Sequence, residues 1–413
     1  SHNRMTMDQR TLSIVHPWDP WTQGVGGFDT ALDGILRYAP REWSLEVIGL
    51  TSDPDLRPSR RWIDTVFADR PVRFFAALHD PEPDRVRRLP LSLRFTVACR
   101  AARVNASGRI VQFHRFETAY GLPRWPGQRW VYFLHNHPTE AQSPMSDVRW
   151  RRLARLHIRM ITDRLRRADA VAAVDPRTPG WIQSHLPSLS GRVLLLPQWA
   201  DPAVFSPGGP EERERARVDL RRSLAASPDA RIVLFAGRLE TQKDPLGLVD
   251  AIENVARVRD DVLLVIVGKG RLEGSITERA RSLGIGDRLR LMGPVERSRL
   301  ASLYRGADVV ACTSAYEAGP RYVFEALACG TPAVSFDVGQ VTPVLEKEKA
   351  AGRLVARRTT QAFSQALLEV LAQARDAASV RRCAASVEGF RPESSLRALF
   401  DVYRGWLSSP PSA

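Results

Sequence analysis

Glu317 and Glu325 are the residues of this 413-residue chain whose types and spacing point most directly to chemistry. They bracket Glu317-Ala-Gly-Pro-Arg-Tyr-Val-Phe-Glu325, an E-x7-E string that continues as Ala326-Leu-Ala-Cys-Gly330-Thr-Pro-Ala-Val-Ser335. Pro320 near the start and Gly330 at the end punctuate a short helix. Glu317 then stands in the preceding loop and Glu325 about two turns further on. Backbone N–H groups at such a helix start attract a phosphate, and Glu325 could hold a ribose diol. An isolated pair at this spacing is ordinarily a helix with a solvated glutamate. The whole string argues against that here.

Lysine is scarce, four in the chain, which singles out Lys243. It follows Phe235-Ala-Gly-Arg238-Leu-Glu-Thr-Gln, where an apolar strand over residues 231–236 ends in Gly237 and Arg238. A helix is expected to begin near Pro245. The loop between lies at the carboxyl end of a parallel strand, where open α/β sheets bind ligands. Arg238 and Lys243 could both reach one diphosphate and stabilise its charge as it leaves. The alternative is a solvated basic pair.

The first half carries a second set of candidates. Residues 12–16 read as a strand, followed by Pro17-Trp-Asp-Pro-Trp21-Thr-Gln-Gly24-Val-Gly26-Gly27 and a helix with Ala31, Leu32, Ile35 and Leu36 on its apolar side. Gly26 and Gly27 would let backbone approach a ligand closely. Trp18 and Trp21 either stack on a sugar or anchor the loop. Strands are also expected over 47–50, 72–75, 110–113 and 131–134. The last two end in His114 and in His135-Asn-His137, so these histidines face a crevice if the sheet is parallel.

The elements that position these residues alternate strand and helix, which argues for parallel α/β sheets. Residues 262–267 form the longest apolar run and read as a buried strand, far short of a membrane span. Further strands are expected over 288–292, 308–312 and 332–336, and a helix over 392–407. The length suggests two domains. The net charge is +14, and residues 1–200 hold 29 arginines against 19 acidic residues. That excess fits either an anionic partner or a biased arginine usage; no nucleic-acid motif accompanies it. Residues 149–168 read as a basic helix with an apolar stripe of Trp150, Leu153, Leu156, Met160, Ile161 and Leu165. A surface helix packed on the sheet is favoured over an interfacial membrane helix. Cys99, Cys312, Cys329 and Cys383 show no metal or redox spacing, and no secretory signal is read, so a reduced cytoplasmic setting is expected.

Taken with Arg238 and Lys243, the string from Glu317 to Ser335 resembles the signature of retaining glycosyltransferases of family 4 type, most strongly over residues 231–352. The resemblance implies an α/β GT-B fold, two Rossmann-like domains with parallel sheets facing a central cleft. Residues 1–199 would bind the acceptor and 200–391 the nucleotide-sugar, with 392–413 crossing back as a helix. It implies Glu317 beside the donor sugar, Glu325 on the ribose, and Arg238 and Lys243 on the diphosphate. Gly237, Gly319, Gly26 and Gly27 would line the donor. Pro320 stands where many members carry glycine and offers no N–H, so the backbones of Arg321 and Tyr322 would take the phosphate. His135 falls where the family places a histidine near the donor sugar; His114, His137, Trp18 and Trp21 would lie toward the acceptor. Residues 194–207 resemble the interdomain passage, with Asp201, Phe205 and Pro207 matching and Gln198, Trp199 and Ala200 replacing Asn, Gly and Val.

The implied function is transfer of a sugar from a nucleotide-diphosphate sugar to an acceptor hydroxyl, with no metal and no other cofactor. Asp53-Pro-Asp55 has the spelling of a metal motif but sits in a Pro-rich loop. A peripheral-membrane enzyme acting on a lipid-linked acceptor and a non-catalytic nucleotide-sugar-binding protein are the alternatives. A phosphorylase would need a pyridoxal-phosphate lysine, and none of the four is an evident candidate.

Overall fold

A computed structural model describes residues 10–22, 27–83, 88–140 and 154–408. Two compact units divide the chain. One is drawn from Ser1–Thr139, Leu153–Leu196 and Pro392–Ala413, the other from Glu140–Arg152 and Pro197–Arg391. The division at Leu196/Pro197 falls three residues before the expected one and assigns Gln198 and Trp199 to the second unit.

In the first unit the described strands are β1 Thr11–Val15, β2 Ser44–Thr51, β3 Trp62–Phe67, β4 Arg70–His79, β5 Ile110–Phe113, β6 Arg129–Leu134, β7 Ala170–Ala173 and β8 Val193–Leu195. Their order is β3-β4-β2-β1-β5-β6-β7-β8. Every described pairing of the named strands is parallel, as expected, except that β3, a strand the sequence reading did not anticipate, pairs antiparallel with β4. That hairpin turns through Ala68 and Asp69, both at positive φ (47° and 61°). Two-residue hairpins of this kind ordinarily announce themselves with Asn-Gly, and Ala-Asp gives no such signal. The helix Pro392–Ser408 belongs to this unit, with Leu396, Leu399, Phe400 and Tyr403 buried. Phe400 and Tyr403 meet Trp43 edge-on at 5.5 and 5.9 Å. Of the expected basic helix, Ala154–Arg166 is described. Ile161 and Leu165 enter the core against Tyr132 and Val171, whereas Leu156 stays exposed. Trp150 and Leu153 lie outside the described residues.

The second unit holds β9 Arg231–Ala236, β10 Val262–Val267, β11 Leu289–Gly293, β12 Val309–Cys312, β13 Ala333–Phe336 and β14 Gly352–Val355. All described pairings are parallel, in the order β11-β10-β9-β12-β13-β14. Side chains alternate between the faces at the strand period of two. From β9, Ile232 and Leu234 join Tyr304 and Phe324 on one face; Val233 and Phe235 join Leu248 and Ile252 on the other. Helices cover both faces, which is why these strands read as unbroken apolar runs. Among the described residues no helix is long and apolar enough to cross a membrane.

Candidate active site

The chain leaves β9 toward β10 and β11 on one side, then returns to place β12 on β9's other flank. Such a reversal opens a crevice at the carboxyl ends of the two strands. The loop after β9 and the loop after β12 enter it and are fastened together. The Thr313 hydroxyl is 3.0 Å from the Lys243 carbonyl oxygen and 2.9 Å from that of Asp244. Ala315 N donates to Gln242 O at 2.8 Å, and the Gln242 amide donates to Tyr316 O at 3.1 Å. Asp244, left-handed at φ 47°, caps the helix Pro245–Ala256 by accepting from Gly247 N at 3.0 Å.

Fastened this way, the loops bring Lys243 Nζ into an ion pair with Glu317 Oε1. The Ser314 hydroxyl donates to the same oxygen at 2.9 Å. Both charged side chains are largely shielded from solvent, where an ion pair is screened less than at the surface. The Lys243 stem folds over Gly237, and its ammonium lies 5.4 Å from the Tyr322 ring centre. Arg238, on the same loop, is exposed. Arg358 braces the second loop by donating to Ser314 O at 2.7 Å while its guanidinium lies 4.6 Å over Phe336. Two glycines permit the close approach. A Cβ on Gly268 (φ 137°) would lie 1.9 Å from Gly237 O, and one on Gly339 (φ 54°) would lie 2.3 Å from Ala318 O.

The helix after the string runs Arg321–Ala328, with Pro320 at its N-cap and no side chain capping it. Gly330 (φ 74°) ends it, as its position in the sequence implied. Tyr322 is buried, and burial raises its phenol well above the ordinary range. The Arg321 side chain turns away to Trp199, donating to its carbonyl at 3.1 Å with the guanidinium 5.0 Å over the indole. Glu325 is buried, with the Tyr304 hydroxyl donating at 3.5 Å. Burial raises its carboxyl pKa, against the lowering influence of Arg321 and Arg297. The side chain is therefore held within the unit rather than solvated.

The first unit repeats the pattern. Its strand order reverses between β1 and β5, and His16 and His114 follow those strands with ring centres 6.1 Å apart. His114 Nδ1 is 2.9 Å from His135 Nε2, and His114 Nε2 is 3.4 Å from Gln112 Oε1. Because the Gln112 nitrogen donates to the Tyr403 hydroxyl at 2.7 Å, its oxygen faces His114. That assigns the His114 proton to Nε2 and makes Nδ1 the acceptor for His135. Burial, then nearby positive or histidine neighbours, lowers both His16 and His114 well below 6.5. His137 stands apart, its Nδ1 2.7 Å from Thr139 Oγ1 and its ring edge-on to Trp181.

The two tryptophans pack against aromatic neighbours of the first unit, Trp18 buried and Trp21 partly exposed. Trp18 is buried against Phe67. Trp21 packs on Phe67 and Phe74, donates Nε1–H to Val66 O at 3.1 Å and carries Arg57 4.8 Å over its ring. Gly26 lies outside the described residues, and Gly27 is the first residue of the helix Gly27–Tyr38. Sequence reasoning passed over His16, Ser314 and Arg358. Two of these carried a usable signal: His16 and Ser314 each stand just past a strand end.

Residues 217–386 match the family model described as glycosyl transferases group 1. The matched region lies within the second unit. The D-inositol 3-phosphate glycosyltransferase of Actinosynnema mirum is 32% identical over 222 residues, 51% of this chain and 51% of that protein. That of Salinispora tropica is 28% identical over 318 residues, 74% and 66%. The chain thus spans about half the length of the first of these curated relatives. The sucrose-phosphate synthase of Thermosynechococcus elongatus has a similar structure, TM-score 0.74 at 18% identity, covering 97% of this chain and all of that one. Anabaena HepE in complex with UDP and glucose gives 0.69 at 15%, covering 96% and 100%. At these identities the likeness establishes the fold, which is GT-B. Lys243, Ser314 and Glu317 all fall inside the matched region.

Proposed function

We propose that the chain transfers a glycosyl group from a nucleotide-diphosphate sugar to an acceptor hydroxyl, with retention at the anomeric carbon. The Lys243–Glu317 pair at the β9/β12 crevice carries this reading. It sets a cation beside an exposed Arg238, where a departing diphosphate needs positive charge, and a carboxylate within the same small space. The bond from the anomeric carbon to the diphosphate breaks. The acceptor oxygen bonds to that carbon on the same face, and its proton passes to the departing phosphate oxygen. Lys243 and Arg238 supply the charge stabilisation, in place of a metal. Glu317 holds Lys243 in register and Glu325 takes the ribose, while in the first unit His135 is oriented by His114. The relatives named above as glycosyltransferases, and HepE with UDP and glucose, support a nucleotide-sugar as donor.

The test is a panel of nucleotide-sugars with water or simple glycosides as acceptor, read by mass spectrometry and by NMR for the product anomer. Release of one nucleoside diphosphate with a product of unchanged anomeric configuration is expected. Inversion would overturn the stereochemical part, and no turnover with tight donor binding would favour a binding protein.

A further inference from the structure

Arg358 joins the two crevice loops from a third. It follows β14, whose register on β13 sets Val355 beside Phe336, and its guanidinium rests over the Phe336 ring at 4.6 Å. Stacked there, it donates from Nη2 to the Ser314 carbonyl oxygen, 2.7 Å away. Among the described residues that carbonyl is the guanidinium's only hydrogen-bond acceptor. Ser314 is fully buried, so solvent is not at hand to replace the bond.

The Ser314 carbonyl and the Ala315 N–H belong to one peptide group, which is planar. Arg358 holds this plane by its oxygen, and Gln242 O holds it by its nitrogen at 2.8 Å. Gln242 is the residue before Lys243, and Ser314 carries the hydroxyl that donates to Glu317 Oε1 at 2.9 Å. Fixing that one plane therefore fixes the backbone leading to Lys243 and the direction of the Ser314 hydroxyl, the two sides of the Lys243–Glu317 pair. Without Arg358 the buried carbonyl lacks its partner, and a turn of the plane to find another breaks the bonds on either side. We propose that Arg358 is a positioning residue: without touching the donor, it holds Lys243 where the diphosphate binds. This rests on the reading above that the donor is a nucleotide-diphosphate sugar and that Lys243 meets its diphosphate.

Calorimetry with UDP, GDP and ADP, each beside its monophosphate, finds the nucleotide that wild type binds and how far the second phosphate tightens it. Lys243→Ala tests the reading: it is expected to weaken the diphosphate and leave the monophosphate unchanged. Arg358→Met tests the positioning. It is expected to weaken the diphosphate about fivefold, the weight of one hydrogen bond, again with the monophosphate unchanged. In the Lys243→Ala background it is expected to have no further effect. Equal weakening of both nucleotides would mean general structural damage. Losses that add to those of Lys243→Ala would mean that Arg358 meets the diphosphate itself. Either result overturns the assignment, as does unchanged binding. Arg358→Lys keeps a charge and a donor but not the flat face on Phe336. It is expected to fall between wild type and Arg358→Met, and it carries the same comparisons should the methionine variant not fold. If wild type binds none of the three diphosphates, or Lys243→Ala binds as wild type does, the diphosphate reading itself falls, and the Arg358 assignment with it.

Discussion

Lys243 and Glu317 are 74 residues apart in sequence and form an ion pair where β9 and β12 lie side by side. Ser314 holds the same carboxylate oxygen, so the ammonium is fixed by a pair of loops rather than by its own flexible stem.

Removing either cation assigned to the diphosphate should damage turnover more than folding. Lys243→Ala and Arg238→Ala are each expected to lower kcat/KM by roughly a hundred- to a thousandfold, the usual cost of one charge-stabilising group. Circular dichroism should be unchanged. Wild-type turnover in folded Lys243→Ala protein would remove the diphosphate role from this residue.

Glu325 offers a pH-dependent readout. Its folded-state pKa is raised above the ordinary 4.5 by burial. The folded state therefore holds the proton more tightly than the unfolded one. The stability tied to this group is fully present below the unfolded pKa and is lost as pH rises through the folded value. Glu325→Gln should accordingly raise the urea midpoint at pH 8 and lose that advantage near pH 4.5. The same variant should raise the donor KM about tenfold if the carboxylate meets the ribose. A midpoint difference that does not vary with pH would contradict the burial argument, and an unchanged KM the ribose role.

His16 and His114 have the opposite sign. Their folded pKa values lie well below 6.5, chiefly through burial. Their contribution is fully present above 6.5 and is lost as pH falls through the folded values. Wild type should lose stability on acidification below pH 6.5, and His16→Gln should lose less over the same interval. Parallel loss in both proteins, followed by denaturant titration at pH 5 and 7.5, would show that these imidazoles are not the cause.

The two glycines Gly268 and Gly180 make a matched test of loop geometry. Gly268→Ala sets a Cβ against the Gly237 carbonyl at a φ that side chains avoid, and should cost more than about 1 kcal/mol while displacing the Arg238–Lys243 loop. Gly180→Ala, within the helix Thr178–His185, meets nothing within 4 Å and should stabilise by roughly 0.5–1 kcal/mol. Thermal midpoints and kcat/KM of the two variants check both statements.

Activity should persist in EDTA, because two cations of the chain itself are assigned to the diphosphate. Loss of turnover that a divalent ion restores would reverse that assignment.

Much of this site was legible in the sequence because its signals are local. Apolar runs marked β9, β10 and β12, and Pro320 and Gly330 bounded the helix that carries Glu325, since strand period and helix punctuation act over a few residues. The sequence alone therefore determined which residues stand at strand ends: Arg238, Lys243, Glu317, His114 and His135. It could not determine which strand ends are neighbours. Sheet order comes from crossover packing between distant segments, and only that order joins Lys243 to Glu317 and His16 to His114. The β3–β4 hairpin was hidden because Ala68 and Asp69 adopt positive φ without the usual glycine. Burial was hidden too: that Trp18 is buried, that Glu325 is held inside the unit and that Gln198 packs against Gly319 all depend on what packs over them, and the packing is set by the tertiary structure.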